Sequence, residues 1–198
     1  MRRRDSSVAV SRKPARSHRT HGHGRAFVRL PTTDLPQRYL QPGDLLICRE
    51  PCVVTTVLGS CIAVTFFSAR LKLAAICHAM LPFPLPGHSE SPIPRQRPWK
   101  YVSGALPELM RCFLPSGPRS DVEVKIIGGA RVLQTTAAAP TRESVGSANI
   151  ACARRLLSEA GFAICARDVG GVIGRKVVFN TRSGDVHVKC LSHPATAA

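Results

Sequence analysis

Acidic residues are scarce in this sequence: 12 Asp+Glu stand against 28 Lys+Arg, a net charge of +16 over 198 residues. None lies between residues 51 and 89, so a histidine in that stretch has no carboxylate close in sequence to orient it. Long apolar runs are missing as well. CIAVTFF, residues 61–67, is typical of the longest, and it falls far short of the roughly 20 residues that span a bilayer. Membrane insertion is therefore not expected. No apolar segment follows the N-terminal arginines, so a secretory signal is not expected either. There is no C-x-x-C pair, and no second pair joins Cys48 and Cys52 to complete a zinc set. Aromatics make up only 5% and no nucleic-acid-binding motif is present, which argues against a nucleic-acid partner.

What is present is enough for one domain. A 44% apolar content can supply a single core at this length. The charge is uneven. Residues 1–25 contain Arg2, Arg3, Arg4, Arg12, Lys13, Arg16, Arg19 and Arg25 against Asp5 alone, with almost no large apolar side chains. Such an arm cannot bury enough surface to offset its ordering entropy, so disorder is expected over 1–25 and one domain over 26–198. The arm reads as a solvated tail, a tether for nucleic acid or anionic membrane, a transit peptide lacking an amphipathic face, or a weak metal site at HRTHGHG. The eight cysteines sit mostly inside apolar runs, where a thiol acts as a small hydrophobe. Without a signal sequence they point to reduced thiols in the cytoplasm.

From about residue 47 the chain reads as strands: ICREPCVVTTVL, interrupted by Pro51, then CIAVTFF and LKLAAICHAML around a polar SAR connection. Residues 83–98 hold five prolines and read as a long loop. Val102, Ala105, Leu106, Leu109, Met110 and Phe113 then recur at helical spacing, with Pro107 expected to kink the helix. EVKIIGGA is a strand. A second helix is expected from Glu143 to Ala160, with Val145, Ala148, Ala153, Leu156, Leu157 and Ala160 inward and Gly161 as its cap. FAICARD is a strand and KVVFN-TRSG-DVHVKCL a hairpin. The fold class is α+β: a largely antiparallel β-sheet sandwich with two helices packed on it.

Cys61 and His78 stand out within the apolar strands. If the two runs form a hairpin that turns between Ala69 and Arg70, the two side chains lie directly opposite, with Cβ atoms about 4.5–5.5 Å apart. A thiol at that range from an imidazole is a nucleophile beside its base, and the imidazole lowers the thiol's pKa. Gly59, two residues ahead, permits a tight turn. The backbone from Gly59 through Ser60 to Cys61 is then a candidate oxyanion site. Thr55 is an upstream hydroxyl of the right kind to orient His78. The competing reading is a buried thiol and a satisfied core imidazole. Cys77, next to His78, points to the opposite face of its strand. The glycine-rich DVGGVIGRK lacks the spacing of a phosphate loop and reads as a turn between strands, with Arg175 and Lys176 at most gripping an acidic surface.

Four pieces in order resemble the chemoreceptor glutamine deamidase family, CheD, over roughly residues 40–191. They are TTVLGSC with CHAMLP seventeen residues on, KIIGGA at 125–130, VGSANI with Gly146 and Asn149, and DVGGVIGRKVVFNTRSGDVHVK at 168–189. The resemblance implies Cys61 as nucleophile, His78 as general acid/base and Thr55 as the residue orienting His78. It implies hydrolysis of chemoreceptor glutamines to glutamates in the cytoplasm, and a toxin-deamidase-like fold. The implied partners are chemoreceptor cytoplasmic helices and a CheC-type phosphatase. Thiol chemistry of this kind requires no cofactor or metal. The chain departs from the family pattern at Cys77 and Arg131.

Overall fold

The computed structural model describes residues 34–84, 99–114, 117–131 and 144–191. The basic arm and most of the proline-rich loop lie outside the described residues. Strand β1 spans Gln37–Tyr39, β2 Leu45–Cys48, β3 Val53–Leu58, β4 Ile62–Ser68, β5 Leu73–Ala79, β6 Glu123–Gly128, β7 Ile164–Val169, β8 Arg175–Asn180 and β9 Val186–Cys190. Helix α1 spans Val102–Phe113 and α2 Val145–Glu159.

Pro51 decides the first branch of the architecture. It has no N–H for a ladder, and the β-branched run around it divides into two strands that enter different sheets. One sheet has the order β1-β3-β8-β9, the other β2-β5-β4-β6-β7. The β1–β3 and β6–β7 pairs are parallel and the remaining pairs antiparallel. The expected α+β sandwich is present, in three layers.

The alternation of side chains along β4 and β5 builds those layers. Ile62, Val64 and Phe66, with Ala75, Cys77 and Ala79, pack under the helices. Ala63, Phe67, Ala74 and Ile76 face the second sheet, meeting Val54, Leu58, Val177 and Phe179. Phe66 anchors the helix layer, with ring centroids 5.5 Å from both Phe113 and Phe162.

Helix α1 buries the six residues its spacing predicts and continues through Pro107. The missing Pro107 N–H would have met Ser103 O, in the first turn of the helix. In α2 the inward stripe is Gly146, Asn149, Cys152, Ala153 and Leu157. Val145 is exposed instead. Ser144 caps this helix, its hydroxyl accepting from the Ser147 N–H at 3.1 Å, and Gly161 at φ +75° ends it.

The β4–β5 turn differs from the expected one. Ser68 pairs with Leu73, leaving Ala69 to Lys72 as a four-residue connection, with Lys72 left-handed at φ 48°. An even loop preserves the faces of both strands but moves the register by two residues.

Candidate active site

Cys61 stands one residue before β4, where the chain has just crossed from the end of β3. Ala63, not Cys61, pairs with His78. The thiol and the imidazole therefore share a face as diagonal neighbours rather than as an opposed pair. Diagonal neighbours have Cα atoms about 7–8 Å apart and Cβ atoms somewhat closer. Cys61 is half-buried and packs at the margin of the layer between the sheets. His78 lies inside that layer, 1% exposed.

The hydroxyl that meets His78 belongs to Thr56, not Thr55. Thr56 Oγ1 lies 2.7 Å from His78 Nδ1. Thr56 shares the inward face of β3 with Val54 and Leu58, while Thr55 sits on the outer face with Val53 and Val57. The sequence offered two adjacent threonines, and strand parity chooses between them. Thr56 also donates to Leu40 O at 2.9 Å. A hydroxyl has one proton, and a carbonyl can only accept. The Thr56 oxygen therefore accepts from Nδ1–H, which assigns the His78 tautomer and leaves the Nε2 lone pair as the basic site.

Burial raises the Cys61 pKa, and its own backbone N–H pulls the other way. The expected imidazole-depressed thiol is not found, because the register sets the ring diagonally and its Nδ1–H is turned to Thr56.

The backbone around Cys61 is held by its carbonyls. Gly59 O accepts from Ala130 N–H at 2.8 Å, and Cys61 O from Gly129 N–H at 2.7 Å. Ser60 O accepts from the Asn149 side-chain amide at 3.0 Å. Among the described residues, the Ser60 and Cys61 N–H groups donate to no backbone carbonyl. Asn149, fully buried on α2, also donates to Met80 O at 3.0 Å. One amide thus ties the segment before Cys61 to the segment after His78.

Two glycines allow this approach. A Cβ on Gly128, at φ 106°, would collide with Cys61 O, and one on Gly146 would collide with Gly129 O. Arg175 is buried, donating to Gly128 O at 3.3 Å and Gly170 O at 2.7 Å and pairing with Asp168 at 2.9 Å. It braces the two glycine turns rather than offering a surface cation, while Lys176 remains exposed. Thr56, Asn149 and Arg175 are the contributors that sequence reasoning missed or misassigned. The signal for Asn149 was an amide on the buried stripe of a helix whose first turn carries a glycine.

Among the described residues, no group of three or more His, Cys, Asp or Glu side chains could hold a metal ion, and no helix is long and apolar enough to cross a membrane.

Residues 80–190 match the family model described as "CheD chemotactic sensory transduction". The match takes in Asn149 and both glycine turns and begins two residues after His78. "Probable chemoreceptor glutamine deamidase CheD 2" of Geobacter sulfurreducens is 41% identical over 160 residues, covering 80% of this chain and 92% of the relative. A span of that length must include both Cys61 and His78. "Probable chemoreceptor glutamine deamidase CheD" of Oleidesulfovibrio alaskensis is 40% identical over 164 residues, 81% of this chain and 76% of the relative. The solved structure of YlmD from Geobacillus stearothermophilus aligns with 69% of this chain and 60% of its own, at TM-score 0.39 and 15% identity. A half-buried thiol, an imidazole on the same face and the glycine turns around them thus sit in a chain whose relatives share one name, and the chain belongs to the CheD family.

Proposed function

We propose that this protein hydrolyses glutamine side chains of chemoreceptors to glutamates, with Cys61 as nucleophile and His78 as general acid/base. The observation that carries the reading is the shared face of Cys61 and His78 at the margin of the inter-sheet layer, with the imidazole tautomer set by Thr56. The names of the relatives point to the same substrate.

His78 Nε2 takes the Cys61 proton as the sulfur attacks the amide carbon. The developing oxyanion is held by the backbone N–H groups of Ser60 and Cys61, at the turn that begins with Gly59. The proton on Nε2 passes to the departing nitrogen, and ammonia leaves. Water then gives a proton to Nε2 and attacks the thioester, releasing glutamate and restoring the thiol. Thr56 acts here as the positioning residue for the imidazole, the role the sequence assigned to Thr55. Each conversion adds one negative charge to a receptor helix, which biases its signalling state electrostatically. The chemistry uses only groups of this chain, and a CheC-type phosphatase is a second expected partner.

The test is incubation with a purified chemoreceptor cytoplasmic fragment. Conversion appears as a gain of about one dalton per modified amide in peptide mass spectra. The account expects that gain with the wild-type protein and none with Cys61→Ala. Conversion by Cys61→Ala would overturn the assignment of the nucleophile.

A further inference from the structure

We infer that Cys48 and Cys52 are a redox-active dithiol, closed by hydrogen peroxide into a disulfide that staples the two sheets together across the Pro51 crossover. The site lies apart from Cys61. Cys52 precedes β3 and Cys61 follows it, so the six residues of that strand, about 20 Å of extended chain, separate the two.

The two sulfurs lie 3.6 Å apart, in hydrogen-bond contact, and both are free thiols. Cys48 ends β2, at the edge of the five-stranded sheet, and Cys52 stands one residue before β3 in the other sheet. Thr181 holds Cys52 in place. The Cys52 N–H donates to Thr181 Oγ1 at 2.7 Å, and the Cys52 carbonyl accepts from Thr181 N–H at 3.0 Å and from Thr181 Oγ1 at 2.9 Å. Cys48 is paired with Ala74 in its own sheet. Between the two cysteines Arg49, Glu50 and Pro51 are all exposed. Rotation of the side chains and adjustment of this open connection can supply the roughly 1.5 Å of approach that an S–S bond of about 2.05 Å needs. Among the described residues no further His, Cys, Asp or Glu joins the pair as a metal ligand set. Two touching thiols without a third ligand are suited to S–S bond formation rather than to zinc.

Burial decides the oxidant and the pace. Cys48 and Cys52 are 8% and 3% exposed, so access favours a molecule as small as peroxide over a bulky disulfide. The more open Cys48 sulfur attacks one peroxide oxygen. The S–O bond forms, the O–O bond breaks, and the departing oxygen takes the thiol proton and leaves as water. The Cys52 sulfur then attacks the sulfenic sulfur. The S–S bond forms, the S–O bond breaks, and the hydroxyl leaves with the Cys52 proton as a second water. Two electrons have passed from the sulfurs to the peroxide. Desolvation, and then the hydrogen bond to Cys52, push the Cys48 pKa up to about 12, with Arg38 pulling the other way. Cys48 therefore keeps its proton at neutral pH, and its attack is slow. It also gains nothing by ionising once reduced, so the disulfide resists reduction. The pair is a durable clasp rather than a fast sensor.

The test treats the folded full chain with hydrogen peroxide, alkylates the remaining thiols in denaturant and digests with trypsin. Trypsin cuts after Arg49, between the two cysteines. The account expects peptides 39–49 and 50–70 to be joined, about two daltons lighter than their sum, while the buried Cys77 is recovered alkylated. Peptide 50–70 also contains Cys61. The digest is therefore repeated on Cys61→Ser, which should keep the link, and on Cys52→Ser, which should lose it. On the Cys61→Ser background the linked protein should melt about 5 °C above the same sample after reduction by excess dithiol. Recovery of Cys48 and Cys52 as alkylated thiols, under peroxide that has oxidised the exposed Cys165 and Cys190, would overturn the inference. A link that leaves the thermal transition where it was would overturn the stapling of the sheets.

Discussion

The two faces of β4 and β5 are made from alternating residues of the same strands, yet they do different work. The face under the helices is closed and apolar, with Ile62, Val64 and Phe66 beside Ala75, Cys77 and Ala79. The face toward the second sheet admits Thr65, His78 and, from β3, Thr56. Two cysteines make the contrast concrete. Cys77 is fully buried among hydrocarbon, and desolvation pushes its pKa to about 12. Cys61 is half-buried at the margin of the other layer, with an imidazole on its own face. Burial alone produces an inert thiol. Partial burial beside an imidazole is the setting that the proposed thiol chemistry needs.

The comparison breaks most sharply at the thiols. Cys61→Ala should lower conversion of receptor glutamine by about 10³-fold or more, as removal of a nucleophile does. Cys77→Ala should leave turnover near wild type and cost about 1 kcal/mol of stability in urea unfolding. Next in size is the base: His78→Asn should lower kcat by about 10²–10⁴-fold. On the helix face the largest effect is on folding alone. Phe66→Ala should destabilise by about 3–5 kcal/mol, with KM and kcat unchanged under conditions where the protein remains folded.

Thr56→Val and Thr55→Val sharpen the comparison within one strand. The first should lower kcat by about tenfold and shift the pH–rate profile, because the Nδ1 partner is lost. The second should leave both within about twofold. The smallest effect is on stability against pH. Folding raises the Cys77 pKa to about 12, so the native state holds its proton after the unfolded chain, titrating near 8.5, has lost it. That contribution is fully present below about pH 8.5 and is lost as pH rises toward 12. The urea midpoint should fall across that window, and less steeply in Cys77→Ala.

Much of the fold was legible because strand and helix periods differ. The stripe of α1, the Gly161 stop and the β8–β9 hairpin follow from spacing alone. The facing of Cys61 and His78 was legible as parity, which an even loop of any length preserves. Their register was not, because ARLK carries no turn signal that would reveal Lys72 in the left-handed region. Thr55 and Thr56 could not be separated without knowing where Leu58 points. In α2, Val145 looked inward by hydropathy, but Gly146 and Asn149 take the buried positions. What is packed there is the glycine turn at Gly129 and two backbone carbonyls, neither of which a hydrophobic pattern records.

The most direct test of a nucleophile at Cys61 is its covalent intermediate. Wild-type protein turning over a chemoreceptor fragment is quenched in acid and its cysteine peptides are weighed. The account predicts a hydroxylamine-sensitive adduct on the Cys61 peptide and an unmodified Cys77 peptide. Turnover with an adduct on any other cysteine, or undiminished turnover in Cys61→Ala, would contradict it.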